Sequence, residues 1–291
     1  MNAYECFKQD CIDRLVRNLQ LPAGCKLGGS FGENGPHHKH ILDDKNQRYQ
    51  LILDEKFRCE KNCKALFGGK LKFHAFSHHL NSSQIFCINV FAPLMKDKNQ
   101  SENMKSFLRV MGVDLKGNIL YWDDGVVPCT MLEYNPVRKD QTEKDRTEVD
   151  FYVRTDEEEE VFFEIKYTEK EFGRASYNVD ESKKMDEWEE SYKNFCDRSR
   201  YLNNYSMDDF YEYFQINRNI GQITKTGRKF VVFLFPYSNP ALRFPYARCS
   251  KMRRVKVCYS EQLGKIADKA FGENKELSLY YHNLVRRYFG F

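Results

Sequence analysis

Three charged residues in two neighbouring apolar segments give the clearest chemical indication in this sequence. Asp150 lies in EVDFYVRT (148–155), whereas Glu164 and Lys166 lie in EVFFEIKYT (160–168). Carboxylate pairs are hard oxygen ligands for Mg²⁺, which also accepts water and phosphate oxygens. A lysine beside them could orient or deprotonate a water molecule, or neutralise charge on a phosphate. Metal-assisted hydrolysis of a phosphodiester uses these parts.

The two segments that hold these residues are rich in β-branched and aromatic residues and are predicted to be strands. The acidic residues 156–159 have turn character, so the strands are expected to form an antiparallel hairpin. Side chains two apart in a strand share a face, which places Glu164 and Lys166 together, and pairing about the turn would bring Asp150 beside them. Three charged side chains among apolar neighbours cost free energy unless they are exposed, paired or metal-bound. The alternative is an exposed cross-strand salt bridge of Lys166 with Asp150 or Glu164, which would stabilise little.

The rest of the chain is predicted to surround a short sheet with helices. Segments with helical spacing or composition are 4–20, 79–95, 104–113, about 180–199 and about 207–225. The helix over 79–95 could be capped by Asn81 or Ser82. Further strands are predicted at 130–136 and at 230–236, the latter apolar throughout and therefore buried on both faces. This order of elements predicts an α/β fold with one central sheet.

Composition excludes several classes of protein. The 291 residues are 41% hydrophobic and 30% charged, which is unlike a membrane protein or a wholly disordered chain. The N-terminal MNAYECFKQD has no signal-peptide pattern, so the ten cysteines are expected to be reduced thiols of a cytoplasmic protein with no membrane partner. A zinc site from Cys59, Cys63 and either His74 or His78 is an alternative use of some of them, although its spacing is loose.

One long segment is strongly basic. Residues 214–260 contain no Asp or Glu, and they carry ten basic residues: Arg218, Lys225, Arg228, Lys229, Arg243, Arg248, Lys251, Arg253, Arg254 and Lys256. Aromatic residues are interleaved with them. Such a mixture suits a polyanion, because Lys and Arg contact phosphates and rings stack on bases. The alternative is a solvated basic face without a partner.

The arrangement Asp150…Glu164-Ile165-Lys166 resembles the PD-(D/E)XK, or restriction-endonuclease-like, superfamily of nucleases. The resemblance covers roughly residues 80–236, and FFEIKYTE is similar to the third-strand signature of these enzymes. It implies a restriction-endonuclease-like core, an α/β fold with a central mixed sheet flanked by helices. It further implies that Asp150, Glu164 and the backbone carbonyl of Ile165 hold the metal. Lys166 would then position the attacking water and stabilise the pentavalent phosphate.

The sequence departs from the superfamily pattern at two places. Val149 stands where the proline of the motif is expected, and Gln84 stands in the helix where many members carry a metal-binding glutamate. Glu133 or Glu148 could supply another carboxylate. Gln215 resembles the glutamine that some members place near the site after the motif. Arg218, three residues later, would lie on the same helix face and could contact a phosphate.

The expectation from the sequence is an Mg²⁺-dependent endonuclease that cleaves DNA, with Mn²⁺ able to substitute. DNA contacts are expected from Arg218, Lys225, Arg228, Arg253 and Arg254. Residues 79–291 would form the nuclease core with its basic C-terminal region, and residues 1–78 an extension of helices and loops for recognition or dimerisation. A homodimer would suit double-strand cutting. The alternatives are a non-catalytic nucleic-acid-binding protein that retains the fold, and a zinc-stabilised interaction protein.

Overall fold

The computed structural model describes residues 1–30, 35–67, 71–95, 100–121, 131–134, 148–173 and 182–291. Their strands form one mixed five-stranded sheet of order β1-β2-β3-β4-β5. The strands are β1 (Met131–Tyr134), β2 (Val149–Arg154), β3 (Glu160–Ile165), β4 (Lys229–Phe235) and β5 (Val255–Tyr259). The first three pair antiparallel, whereas β4 and β5 continue the sheet in parallel with β3. The hairpin predicted about 156–159 is therefore present.

Helices cover both faces of the sheet. They are α1 (Ala3–Asn18), α2 (Glu60–Leu66), α3 (Ser83–Phe91), α4 (Gln100–Val110), α5 (Ser182–Arg198), α6 (Met207–Glu212), α7 (Phe214–Ile220), α8 (Tyr246–Cys249), α9 (Leu263–Phe271) and α10 (Lys275–Phe289). Short 3₁₀ helices span Lys45–Leu51, Glu55–Phe57, Ala92–Met95 and Ser260–Gln262. Ser82 caps α3 as expected, because its side chain accepts a hydrogen bond from the Ile85 N–H. The α/β prediction, with a central mixed sheet flanked by helices, is confirmed.

Successive side chains along each strand point to opposite faces of the sheet, and the interior therefore has two apolar cores. Phe151, Phe163 and Leu234 face a core shared with α1, α3, α4, α9 and α10. Tyr152, Phe162 and Phe233 face the other core, which is shared with helices α5–α8. The unbroken apolar character of β4 follows, because both of its faces are covered. The same alternation places Glu164, two residues after Phe162, on the side of the sheet where α7 packs.

One predicted helix is divided in two. The segment predicted as a single helix over 207–225 breaks at Tyr213, whose φ of −116° and ψ of 44° leave the helical region, and α7 ends at Ile220. The buried amide of Asn217 donates hydrogen bonds to the carbonyls of Asp209 and Phe210. These bonds join the end of α6 to α7 and hold the two helices together.

The N-terminal residues share a core with the rest of the chain. Cys11 and Leu15 of α1 lie in the same apolar cluster as α3 and α10. Asn89, fully buried in α3, donates hydrogen bonds to the Leu51 carbonyl and the Tyr288 hydroxyl. The functional division at residue 78 stays a prediction.

Candidate active site

The hairpin register brings Asp150 opposite Glu164. Phe151 pairs with Phe163 across β2 and β3, so the preceding and following residues are also neighbours. Oδ2 of Asp150 accepts a hydrogen bond of 2.6 Å from the Ile165 N–H, which fixes the carboxylate beside the end of β3. The two carboxylates that the predicted hairpin pairing places together are therefore adjacent in the fold.

The Glu164 carboxylate is fully buried and is held by three donors. Its Oε1 accepts from the Lys166 ammonium at 2.7 Å and from the Gln215 amide at 2.7 Å. Its Oε2 accepts from the Asn219 amide at 2.7 Å. Gln215 and Asn219 are one turn apart on α7, so a single helix face supplies both amides. A buried carboxylate needs such partners, because an unpaired one would be strongly disfavoured.

Burial and the closeness of the charged groups determine the electrostatics of the site. Burial, followed by the negative charge of Glu164, raises the pKa of Asp150 well above its usual value, although Lys166 and the Ile165 N–H oppose this. Burial alone would lower the pKa of Lys166, but the carboxylates of Glu164, Asp150 and Glu169 outweigh it and the pKa is raised. The ammonium is therefore charged at neutral pH. One ammonium does not balance the carboxylates around it, and an added divalent cation would favour the ionised form of Asp150.

Two residues at the site are additional to those predicted from the sequence. Asn219 could have been found from Gln215, because it lies four residues further along the same predicted helix. Glu169 is half-buried in the segment that follows β3, and its carboxylate accepts a 2.6 Å hydrogen bond from the Tyr167 N–H. It contributes to the raised pKa of both Asp150 and Lys166. Glu169 lies beyond the end of the strand, so the two-residue period of a strand could not predict its position.

The remaining predicted ligands are placed as follows. Gln84 is buried in α3, where its side chain accepts from the His74 N–H at 3.0 Å and donates to the Lys72 carbonyl at 2.7 Å. These bonds attach α3 to the preceding segment, and a role for Gln84 at the metal stays a prediction. Glu133 lies on β1 opposite Asp150 by register, and its side chain is outside the part of the structure that is described. Glu148 is exposed immediately before β2.

The basic residues predicted to bind DNA separate into two groups. Arg218 lies on α7 beside the site, with its guanidinium 4.9 Å from the ring centre of Phe214. Lys225 is exposed in the loop after α7. Arg228, Arg253 and Arg254 lie instead where β4 and β5 begin, at the opposite end of the sheet from Lys166. Arg218 thus lies on the helix that supplies Gln215 and Asn219, whereas these three arginines lie at the other end of the sheet.

The zinc alternative receives no support from the described residues. Within them, no three His, Cys, Asp or Glu side chains are grouped as metal ligands. Cys59 is exposed and Cys63 is buried, and both are free thiols. A third carboxylate from Glu133 would lie outside that search, since its side chain is not described.

The chain was also compared with known proteins. A family model described as "Restriction Endonuclease associating with ARP" matches residues 18–289. The chain belongs to this family. The match runs from the end of α1 to the end of α10 and includes every strand and all the residues around Glu164. Membership of this restriction endonuclease family is consistent with the restriction-endonuclease-like resemblance and indicates a nuclease. No curated protein and no solved structure gave a match.

No helix in the described ranges is long and apolar enough to cross a bilayer.

Proposed function

We propose that this protein is an Mg²⁺-dependent endonuclease that hydrolyses phosphodiester bonds in DNA. The observation that carries the proposal is the meeting of Asp150, Glu164 and Lys166 at one end of the β2–β3 hairpin, in a chain that belongs to a restriction endonuclease family. An exposed salt bridge does not account for this group, because Glu164 is fully buried and only 14% of the Lys166 side chain is exposed.

The donor set fits Mg²⁺. This ion is commonly bound by one or two carboxylates together with water and phosphate oxygens. A carboxylate can accept about four hydrogen bonds or metal contacts, and the described donors use only part of the capacity of Asp150 and Glu164. These two residues, with the Ile165 carbonyl, would hold the ion. When bound, Mg²⁺ would supply Lewis-acid activation of the phosphate and of a water molecule.

Lys166 is assigned a donor role. The neighbouring carboxylates raise the pKa of Lys166, which favours the charged ammonium form. It would orient the attacking water and neutralise charge that develops on the phosphate oxygens. Gln215 and Asn219 are positioning residues, since they fix the Glu164 carboxylate from α7. Arg218 on the same helix would contact a neighbouring phosphate of the substrate.

DNA is the proposed substrate, because the family is one of restriction endonucleases and the region 214–260 is basic. A non-catalytic nucleic-acid-binding protein with the same fold is the second candidate. The retained Asp150, Glu164 and Lys166 favour the enzyme over this candidate. A homodimer stays a prediction.

Cleavage assays separate the two candidates. Supercoiled plasmid and linear duplex DNA would be incubated with the protein in Mg²⁺, in Mn²⁺ and in EDTA. Asp150→Asn and Lys166→Met should abolish cleavage, and the matched exposed changes Asp208→Asn and Lys193→Met should not. Circular dichroism would verify that the variants fold. Metal-dependent cleavage that persists in both site variants would exclude the proposed centre, and DNA binding without cleavage in any metal would favour the second candidate.

A further inference from the structure

A basic groove runs along the free edge of β5, away from the candidate active site. Its volume is about 860 Å³. β5 is the terminal strand of the sheet, so one of its edges has no partner strand among the described residues. The basic residues that line the groove are Arg200, Arg228, Arg253, Arg254 and Lys256. Its acidic lining residue is Asp114, whose carboxylate is already 3.3 Å from the Arg109 guanidinium.

Part of this positive charge is available to a ligand. Arg228 is paired with Glu159 at 3.0 Å, and Arg254 donates to the Gly227 carbonyl at 2.6 Å. Arg200 and Arg253 are exposed, and neither forms an ion pair with a described acidic residue. The chemistry of the groove therefore suits a polyanion.

Tyrosine side chains extend the groove. Tyr246 and Tyr259 line it, and their hydroxyl oxygens are 3.2 Å apart. The ring of Tyr237 lies 5.1 Å from the ring of Tyr259, and 74% of Tyr237 is exposed. We call Tyr237, Tyr246 and Tyr259 the tyrosine strip. A large ring exposed to this degree leaves one face open for stacking.

The loop that presents Tyr237 is firmly held. The Glu261 carboxylate accepts hydrogen bonds from the Tyr237 N–H at 3.0 Å and from the Ser238 N–H at 2.9 Å. The buried Asn239 amide donates to the carbonyls of Tyr167 and Glu169, immediately after Lys166. The backbone that carries the exposed ring is therefore tied to the segment that follows β3, and little backbone entropy would be lost when a base stacks on the ring.

The strip lies at the end of the groove that is nearer to the candidate active site. Tyr259 pairs with Phe235 at the end of β5, and Ile165 pairs with Leu234 at the end of β3. Tyr259 is thus at the same end of the sheet as Lys166 and two strands away, or about 10 Å. Arg253 and Arg254 lie at the other end of β5, about 17 Å along the strand.

We infer that the groove and the tyrosine strip bind a single-stranded DNA segment that leads to the candidate active site. The inference rests on the proposed function and specifies the substrate as DNA with an unpaired region. Unpaired bases expose faces that can stack on tyrosine, whereas the bases of a duplex are already stacked. The arginines and Lys256 would contact the phosphates of the same strand.

Fluorescence anisotropy tests the inference in EDTA, where the proposed cleavage cannot proceed. The probes are a labelled 20-nucleotide oligothymidylate and a labelled 20-base-pair duplex. The single strand should bind more tightly. Tyr237→Ala should weaken this binding about tenfold, as expected for the loss of one stacked base. Tyr237→Phe keeps the ring and should bind like the natural chain, as should Phe76→Ala, which removes an exposed aromatic residue elsewhere.

Salt dependence tests the contribution of the groove. Arg253→Gln should lower the slope of log affinity against log salt by about 0.7, the value for one phosphate contact on a single strand. Tighter binding of the duplex would overturn the inference. So would equal losses in Tyr237→Ala and Phe76→Ala, or full displacement of the oligothymidylate by polyglutamate at the same charge concentration, since polyglutamate has no bases.

The outcome is separable from that of the proposed function. Asp150→Asn should abolish cleavage and should not weaken oligothymidylate binding in EDTA. Cleavage that depends on Asp150, combined with a preference for duplex, would overturn only the inference. Single-strand binding that depends on Tyr237, in a chain that cuts no DNA, would overturn only the proposed function.

Discussion

Replacement of Lys166 by methionine should markedly destabilise the protein. The lysine ammonium lies 2.7 Å from a Glu164 oxygen, and the Glu164 side chain is fully buried. Breaking a buried ion pair from one side usually costs 3–5 kcal/mol, because the remaining charge is left without its partner. The amides of Gln215 and Asn219 would still donate to the carboxylate. We therefore expect the lower end of that range, a loss of about 3 kcal/mol.

A double-mutant cycle tests the origin of this loss. Glu164→Gln combined with Lys166→Met removes both charges, and the two α7 amides can rotate to pair with the new glutamine. The double variant should recover stability relative to Lys166→Met, with a coupling energy of about 2 kcal/mol. Urea unfolding at pH 7.5, followed by circular dichroism, measures each free energy.

Lys193→Met is the matched control. Lys193 lies 2.6 Å from Glu189, but both side chains are more than half exposed. An exposed pair of this kind contributes little, so the control should unfold like the natural chain. If Lys166→Met were as stable as this control, the buried Glu164 carboxylate would not depend on the Lys166 ammonium for its stability. The electrostatic argument for a cation site would then be wrong.

Three further predictions concern the stability of the fold. Burial lowers the pKa of His40 and of His79 to about 4, from an ordinary 6.5. The unfolded chain then binds more protons between these values, so stability should fall as pH drops from about 6.5 to about 4, by about 3 kcal/mol per imidazole at most. Urea midpoints that do not change over this range would contradict the assignment. Gly173 has φ of 95°, and an added Cβ would lie 2.7 Å from Gln215 Oε1. Gly173→Ala should therefore lower the unfolding free energy by about 1–2 kcal/mol, and an unchanged urea midpoint would refute this. Asn89→Leu leaves two backbone groups and a tyrosine hydroxyl without their buried partner, and should cost about 3 kcal/mol in the same assay. A loss of unfolding free energy below about 1 kcal/mol would show that these Asn89 hydrogen bonds contribute little to stability.

The hairpin and its charged residues could be predicted because they depend on local patterns. The two-residue period of a strand fixes which side chains share a face, and a short turn fixes the pairing of its two strands. These rules alone predict the common location of Asp150, Glu164 and Lys166. The position of Gln215 came from the resemblance to a nuclease superfamily, because no local rule specifies how a later helix packs on the sheet.

Other parts of the structure depend on contacts between distant segments. Asn219 faces Glu164 only because α7 packs on that side of the sheet, and the break at Tyr213 depends on hydrogen bonds from Asn217. β5 is a parallel edge strand with half-buried residues, so VKVCY lacks a strong strand pattern. Charge composition identified the basic segment 214–260, but composition cannot specify which end of a sheet an arginine occupies. The separation of Arg228 from Lys166 is visible only in the fold.

The most direct test of the central claim is a crystal structure of the protein soaked with Mn²⁺, examined by anomalous scattering. The proposed function predicts a Mn²⁺ peak bound by the carboxylates of Asp150 and Glu164, with Lys166 beside it and no contact from the ammonium to the metal. A peak held by other residues, or no peak between these two carboxylates at millimolar Mn²⁺, would contradict it.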